Sequence, residues 1–139
     1  MTRSPLSFWL VNRTGYDSGD LRRFFQRALR GTGSRVRGLT IYVTATPQRT
    51  RGCADIGGRR MVIAIAPPVR LSIRRLARVT EHELAHLRGM RHEQMRDPVL
   101  LYSPDRGETP RWAVGAKIRW RGRAPSQLRA IRADRLSRK

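Results

Sequence analysis

The chain contains three histidines, and all of them fall inside one eleven-residue stretch, His82-Glu83-Leu84-Ala85-His86-Leu87-Arg88-Gly89-Met90-Arg91-His92. Residues four apart on an α-helix share a face, so the imidazoles of His82 and His86 can grip the same ion. Zinc suits imidazole nitrogen at about 2.0–2.1 Å and takes four ligands in a tetrahedral array. One helix face cannot surround an ion, so a third ligand has to come from elsewhere. Gly89 allows the chain to turn sharply, and His92 can then return to the metal. Glu83 follows the first ligand and points close to the open fourth position. There it can take a proton from an activated water and pass it to a leaving amine. The spacing reads HExxHxxGxxH, the pattern for three protein ligands on Zn2+ with a carboxylate base beside them.

Elements must hold these groups in place, and the apolar periodicity supplies them. Residues 6–12 read as a first strand ending at Thr14-Gly15. Asp17 or Ser18 can cap a helix over 19–30 whose apolar stripe is Leu21, Phe24, Phe25, Ala28 and Leu29, with Gly31 and Gly33 breaking it. A β-branched run over 36–46, alternating at Leu39, Ile41 and Val43, reads as the second strand. A loop carrying Pro47, Gly52, Gly57 and Gly58 leads to a short strand, Arg60–Ala66, stopped by Pro67-Pro68. From 71 to 89 the period changes to three and four. Ile73, Leu76, Thr80, Leu84 and Leu87 mark the buried face of a helix, with His82 and His86 on an adjacent face and Gly89 as its terminator. A strand at 112–120 and a basic helix over Ser126–Leu136 complete the expectation. The order is β-α-β-β-α followed by an irregular piece.

Composition limits what surrounds this framework. The 139 residues fit one domain. No run approaches the eighteen or so apolar residues that span a bilayer. The N-terminal stretch lacks the apolar segment and cleavage site of a signal peptide, so a cytoplasmic location is the expectation, with a secreted mature form left open. Cys53 is the sole cysteine, which rules out an internal disulfide and a cysteine-only metal site. Thirty Lys and Arg, of which 28 are Arg, face ten Asp and Glu, for a formal charge of +20. Such a field draws in polyanions such as DNA or RNA, although interleaved arginines are also what a composition bias would leave over a surface. Trp112 and Trp120 sit among cations and could stack bases, or could anchor a small C-terminal core.

HELAHLRGMRH resembles the zinc-binding consensus of the metzincin metallopeptidases. Glu93-Gln94 is similar to the astacin branch. Asp97–Tyr102 resembles the Met-turn of astacins and matrixins, with Leu101 where the methionine would stand and Tyr102 next to it. Leucine offers a comparable apolar floor. The resemblance covers residues 81–102. It implies an α+β, zincin-like fold in which a small mixed sheet packs on an N-terminal helix and an active-site helix. Residues 1–139 then form a single domain, with an N-terminal subdomain over 1–89 and an irregular C-terminal subdomain over 90–139. It further implies His82, His86 and His92 as zinc ligands, Glu83 as general base, and Gly89 and Leu101 in structural roles. Tyr102 becomes a zinc ligand or oxyanion support, or an aromatic packed beneath the site. Met61, Val62, Ile63, Ala64 and Ile65 become an edge strand that pairs with an extended substrate. The implied activity is a zinc-dependent metalloendopeptidase acting on peptide or protein substrates. Two other classes compete with it. One is a basic nucleic-acid-associated protein with a structural zinc, and the other is a catalytically inactive metzincin-like interaction module.

Overall fold

A computed structural model of the chain describes residues 8–45, 52–54, 57–65, 71–92 and 107–122. Four strands and two helices account for most of them: β1 (Trp9–Arg13), α1 (Ser18–Thr32), β2 (Thr40–Thr44), β3 (Gly52–Ala54), β4 (Arg60–Ala64) and α2 (Ile73–Leu87). A 3-10 turn follows at Arg111–Ala113. The architecture is a mixed α+β layer pair. The sheet order is β1-β2-β4-β3, with β1, β2 and β4 mutually parallel and β3 antiparallel to β4. Among the described residues no helix is long and apolar enough to cross a membrane.

Helix α1 forms where its cap and apolar spacing direct it. Asp17 caps the helix, its carboxylate accepting from Asp20 N at 2.8 Å. Leu21, Phe24, Phe25, Ala28 and Leu29 are buried on one stripe, and each large apolar side chain taken from water contributes roughly 1.5–3 kcal/mol. The helix runs past Gly31, which the sequence reading treated as a breaker, and ends at Gly33 with φ +67°. Gly31 is kept for packing, since a Cβ there would lie 2.4 Å from the Trp112 ring.

Strand lengths also differ from expectation. β1 runs Trp9–Arg13, and β2 is confined to Thr40–Thr44 because Gly38, at φ +66°, turns the chain just before it. The stretch expected to be loop at Gly52 pairs instead with β4, in the register Gly52 with Ile63 and Ala54 with Met61. The segment expected as a strand over 112–120 forms the 3-10 turn and then a stretch whose one β-bridge among the described residues is Trp120 with Tyr16. Its short apolar positions are taken by the main core: Ala113 is fully buried, and Trp112, Ala116, Ile118 and Trp120 pack against the same cluster. The expected helix over 126–136 lies outside the described residues.

The core sits between the helices and one face of the sheet. Ile41, Val43, Met61 and Ile63 point into it at 0–1% exposure, together with Phe24, Phe25, Leu76 and Leu84. Strand alternation then puts Trp9, Val11 and Arg13 of β1, Thr40, Tyr42 and Thr44 of β2, and Arg60, Val62 and Ala64 of β4 on the opposite face.

Candidate metal centre

Ser72 starts α2, its hydroxyl accepting from Arg75 N at 3.2 Å. Leu76, Ala77, Val79, Thr80, Leu84 and Leu87 bury the helix against the sheet and α1. The hydroxyl of Thr80 donates back to Leu76 O at 2.7 Å, which satisfies a polar group that has no exposure at all. This anchoring carries His82, Glu83 and His86 inward as well, leaving them 8%, 4% and 8% exposed.

The helix ends in a left-handed turn. Gly89 has φ +92°, Gly89 N donates to His86 O at 2.9 Å, and Met90 N donates to Ala85 O at 3.1 Å. These are the paired bonds of a Schellman stop, which asks for glycine at the left-handed position. The reversal has two consequences. It brings the exposed His92 back to the helix, and it sets Met90 O 2.8 Å from His86 Nδ1. A carbonyl only accepts, so Nδ1 carries the proton and donates, and His86 Nε2 is left with its lone pair turned toward the cluster.

That lone pair meets both other rings. His86 Nε2 lies 3.1 Å from His82 Nε2 and 3.1 Å from His92 Nε2. One ligand atom from each histidine falls within 4.8 Å of the others, close enough for the three to bind a metal ion. Two nitrogens bound tetrahedrally to zinc would stand about 3.3 Å apart, given bond lengths of about 2.0–2.1 Å. The two 3.1 Å separations at His86 Nε2 are close to that spacing. Among the described residues the metal-ligating cluster consists of these three side chains.

Glu83, beside the first histidine and within the same buried turn, has its carboxyl pushed up to about 7 by burial. Two links fix the position of the site in the fold. Gly57 N donates to His86 O at 2.8 Å, tying the turn between β3 and β4 to the end of α2. Arg88 Nη1 donates to Thr32 O at 3.3 Å, tying the same end to α1.

No protein-family model matches the chain, and no curated protein or solved structure does either. The meaning of the site therefore rests on its own chemistry.

The other residues singled out in the sequence are dispersed. Met61–Ile63 cannot serve as an edge. β4 is bonded to β2 on one side and to β3 on the other, and Met61 and Ile63 are buried in the core. Ala64 continues the parallel register with Thr44, and Ile65 N donates to Thr44 O at 2.8 Å. The outermost described strand beside α2 is β3, whose short length and glycine made it read as loop. Leu101 and Tyr102 lie outside the described residues, as do Glu93 and Asp97. Glu81 pairs with Arg78 at 3.2 Å and also accepts from Trp112 Nε1 at 3.3 Å. Trp112 packs edge-on to Phe24 at 5.2 Å and Trp120 to Tyr16 at 4.9 Å, so both work as packing anchors. Sequence reasoning passed over the Met90 carbonyl, although a glycine three residues after a ligand histidine signals a stop that presents the next carbonyls to that ring.

Proposed function

We propose that the chain is a zinc-dependent metalloendopeptidase of metzincin type, built on a zincin-like fold. The observation that carries this reading is the approach of the His82 and His92 Nε2 atoms to His86 Nε2, on a helix whose residue after the first histidine, Glu83, is a buried carboxylate. His82, His86 and His92 would hold the ion. A bound zinc ion supplies Lewis acidity, drawing electron density from the oxygens of water and of a peptide carbonyl.

The protein's own groups do the rest. Met90 O keeps the His86 ring in one tautomer and one orientation, so the ligand atom is preset rather than selected on binding. Glu83 exchanges a proton at its carboxylate: it accepts one from water as the peptide carbonyl is attacked and delivers it to the departing amine. Burial raises the basicity of that carboxylate toward neutral pH, where such an exchange is efficient. β3, outermost beside α2, supplies main-chain groups against which an extended peptide can lie, taking the role expected of β4.

A purely structural zinc is the less favoured reading. Structural sites close with four protein ligands, whereas this cluster shows three among the described residues and opens toward solvent at His92.

Metal content and cleavage of a mixed-peptide pool, compared between wild type and Glu83→Gln, test the proposal. One zinc per chain is expected in both proteins, with turnover lowered by about 100-fold or more in the variant. A zinc-loaded wild type that cleaves nothing, or a variant as active as wild type, would remove the enzyme from consideration.

A further inference from the structure

The sheet face turned away from the helices has its own chemistry. The parallel register sets three rows across it: Trp9, Thr40 and Arg60; Val11, Tyr42 and Val62; Arg13, Thr44 and Ala64. Trp9 is 74% exposed, and Arg13 and Arg60 are exposed at opposite corners. Tyr42 lies in the centre and is half-buried. Strand spacings of about 4.8 Å and two-residue repeats of about 6.6 Å put Trp9 and Tyr42 on a diagonal of roughly 8 Å. The acidic residues of the described segments, Asp17, Asp20, Glu81, Glu83 and Glu108, all lie off the strands. Among the described residues the face is therefore aromatic along a diagonal, cationic at the corners and without a carboxylate on its strands, on a chain of net charge +20.

We propose that this face binds single-stranded nucleic acid, with Trp9 and Tyr42 as stacking surfaces and Arg13 and Arg60 contacting phosphates. Charge complementarity selects a polyanion, and the aromatic pair selects one whose planar groups are unpaired. Duplex bases are stacked inside their helix, whereas single-stranded bases can be laid on sheet aromatics. A lipid surface would be served better by a contiguous apolar face, and here Thr40 and Thr44 flank Tyr42 along its own strand. This inference does not depend on the metal centre and would survive the loss of the peptidase reading.

A basic protein holds many polyanions loosely, so the test separates stacking from charge. Binding of a short mixed-sequence single-stranded DNA to the full chain is measured beside heparin and beside vesicles of phosphatidylserine and phosphatidylcholine. Trp9→Lys is the decisive variant. It adds a positive charge while removing the indole, so charge alone predicts tighter binding and stacking predicts weaker. The expected result is about a tenfold loss for the single strand, unchanged or tighter binding to heparin, and partial retention in Trp9→Phe. Tyr42→Ala should repeat the loss, and His82→Ala should leave binding untouched. Trp9→Lys binding the single strand as well as wild type would overturn the proposal. So would a loss confined to the vesicles, which would make the face a membrane contact.

Discussion

At the scale of single residues, the candidate metal site depends on one carbonyl as much as on three imidazoles. Met90 O fixes the proton on His86 Nδ1, and only then does Nε2 face the two neighbouring nitrogens at 3.1 Å. Three lone-pair donors held this close gain when a cation is placed among them, so metal binding should report on folding stability. Zinc at a hundredfold excess over its dissociation constant would stabilise the folded chain by about 2.7 kcal/mol. Thermal melts with and without a chelator measure this directly. Chelation should lower the Tm of wild type and leave His86→Ala unchanged. Equal responses in the two proteins would mean that the cluster does not bind the ion.

At the scale of elements, the end of α1 and the 3-10 turn share one contact. Helix propensity says that Gly31→Ala should stabilise α1 by about 1 kcal/mol. Packing says the reverse, because the new Cβ would meet the Trp112 ring at 2.4–2.5 Å. Trp112 cannot swing away cheaply, being held by Phe24 at 5.2 Å and by the Glu81 carboxylate at 3.3 Å. The overpacking wins, and Gly31→Ala should destabilise by about 1–3 kcal/mol in denaturant titrations. In a Trp112→Ala background the same change should become stabilising. A gain in both backgrounds would show that the indole yields without cost. The glycine was visible in the sequence, but its purpose was not, since its partner lies eighty-one residues further along the chain.

At the scale of the molecule, the long C-terminal excursion returns to the start of α1 and is clamped there by charge. Asp20, 6% exposed, accepts from Arg119 N at 3.0 Å, from Arg119 Nε at 2.9 Å and from Arg23. Arg119 O accepts from Asp17 N at 2.8 Å, and Arg121 N donates to Gly15 O. The Arg119 side chain, then its backbone N–H, then Arg23 hold the Asp20 carboxyl far below the usual carboxylate range. A depressed pKa means that the stabilisation is complete above the unfolded value of about 3.9 and is lost as pH falls below it. Asp20→Asn should therefore melt earlier than wild type at neutral pH, with the gap closing in acid. A gap that persists unchanged at the lowest pH would show that shape, not charge, holds the clamp.

Much of the centre was legible in the sequence because its information is local. Two histidines four apart, a carboxylate beside the first and a glycine before the third determine a helix face, its stop and a return, all within eleven residues. The stripe of α1 and the core positions of β2 and β4 were legible for the same reason, since a period of 3.6 or 2 is written in neighbouring residues. Strand order is not written there. Three residues at Gly52–Ala54 carry too little pattern to be read as a strand, and their pairing alone moved β4 from the edge to the interior. The clamp at Asp20 and the seat of Trp112 join residues that are distant in sequence. Only the packed chain decided them, because the energy of those contacts exists only once both partners are in place.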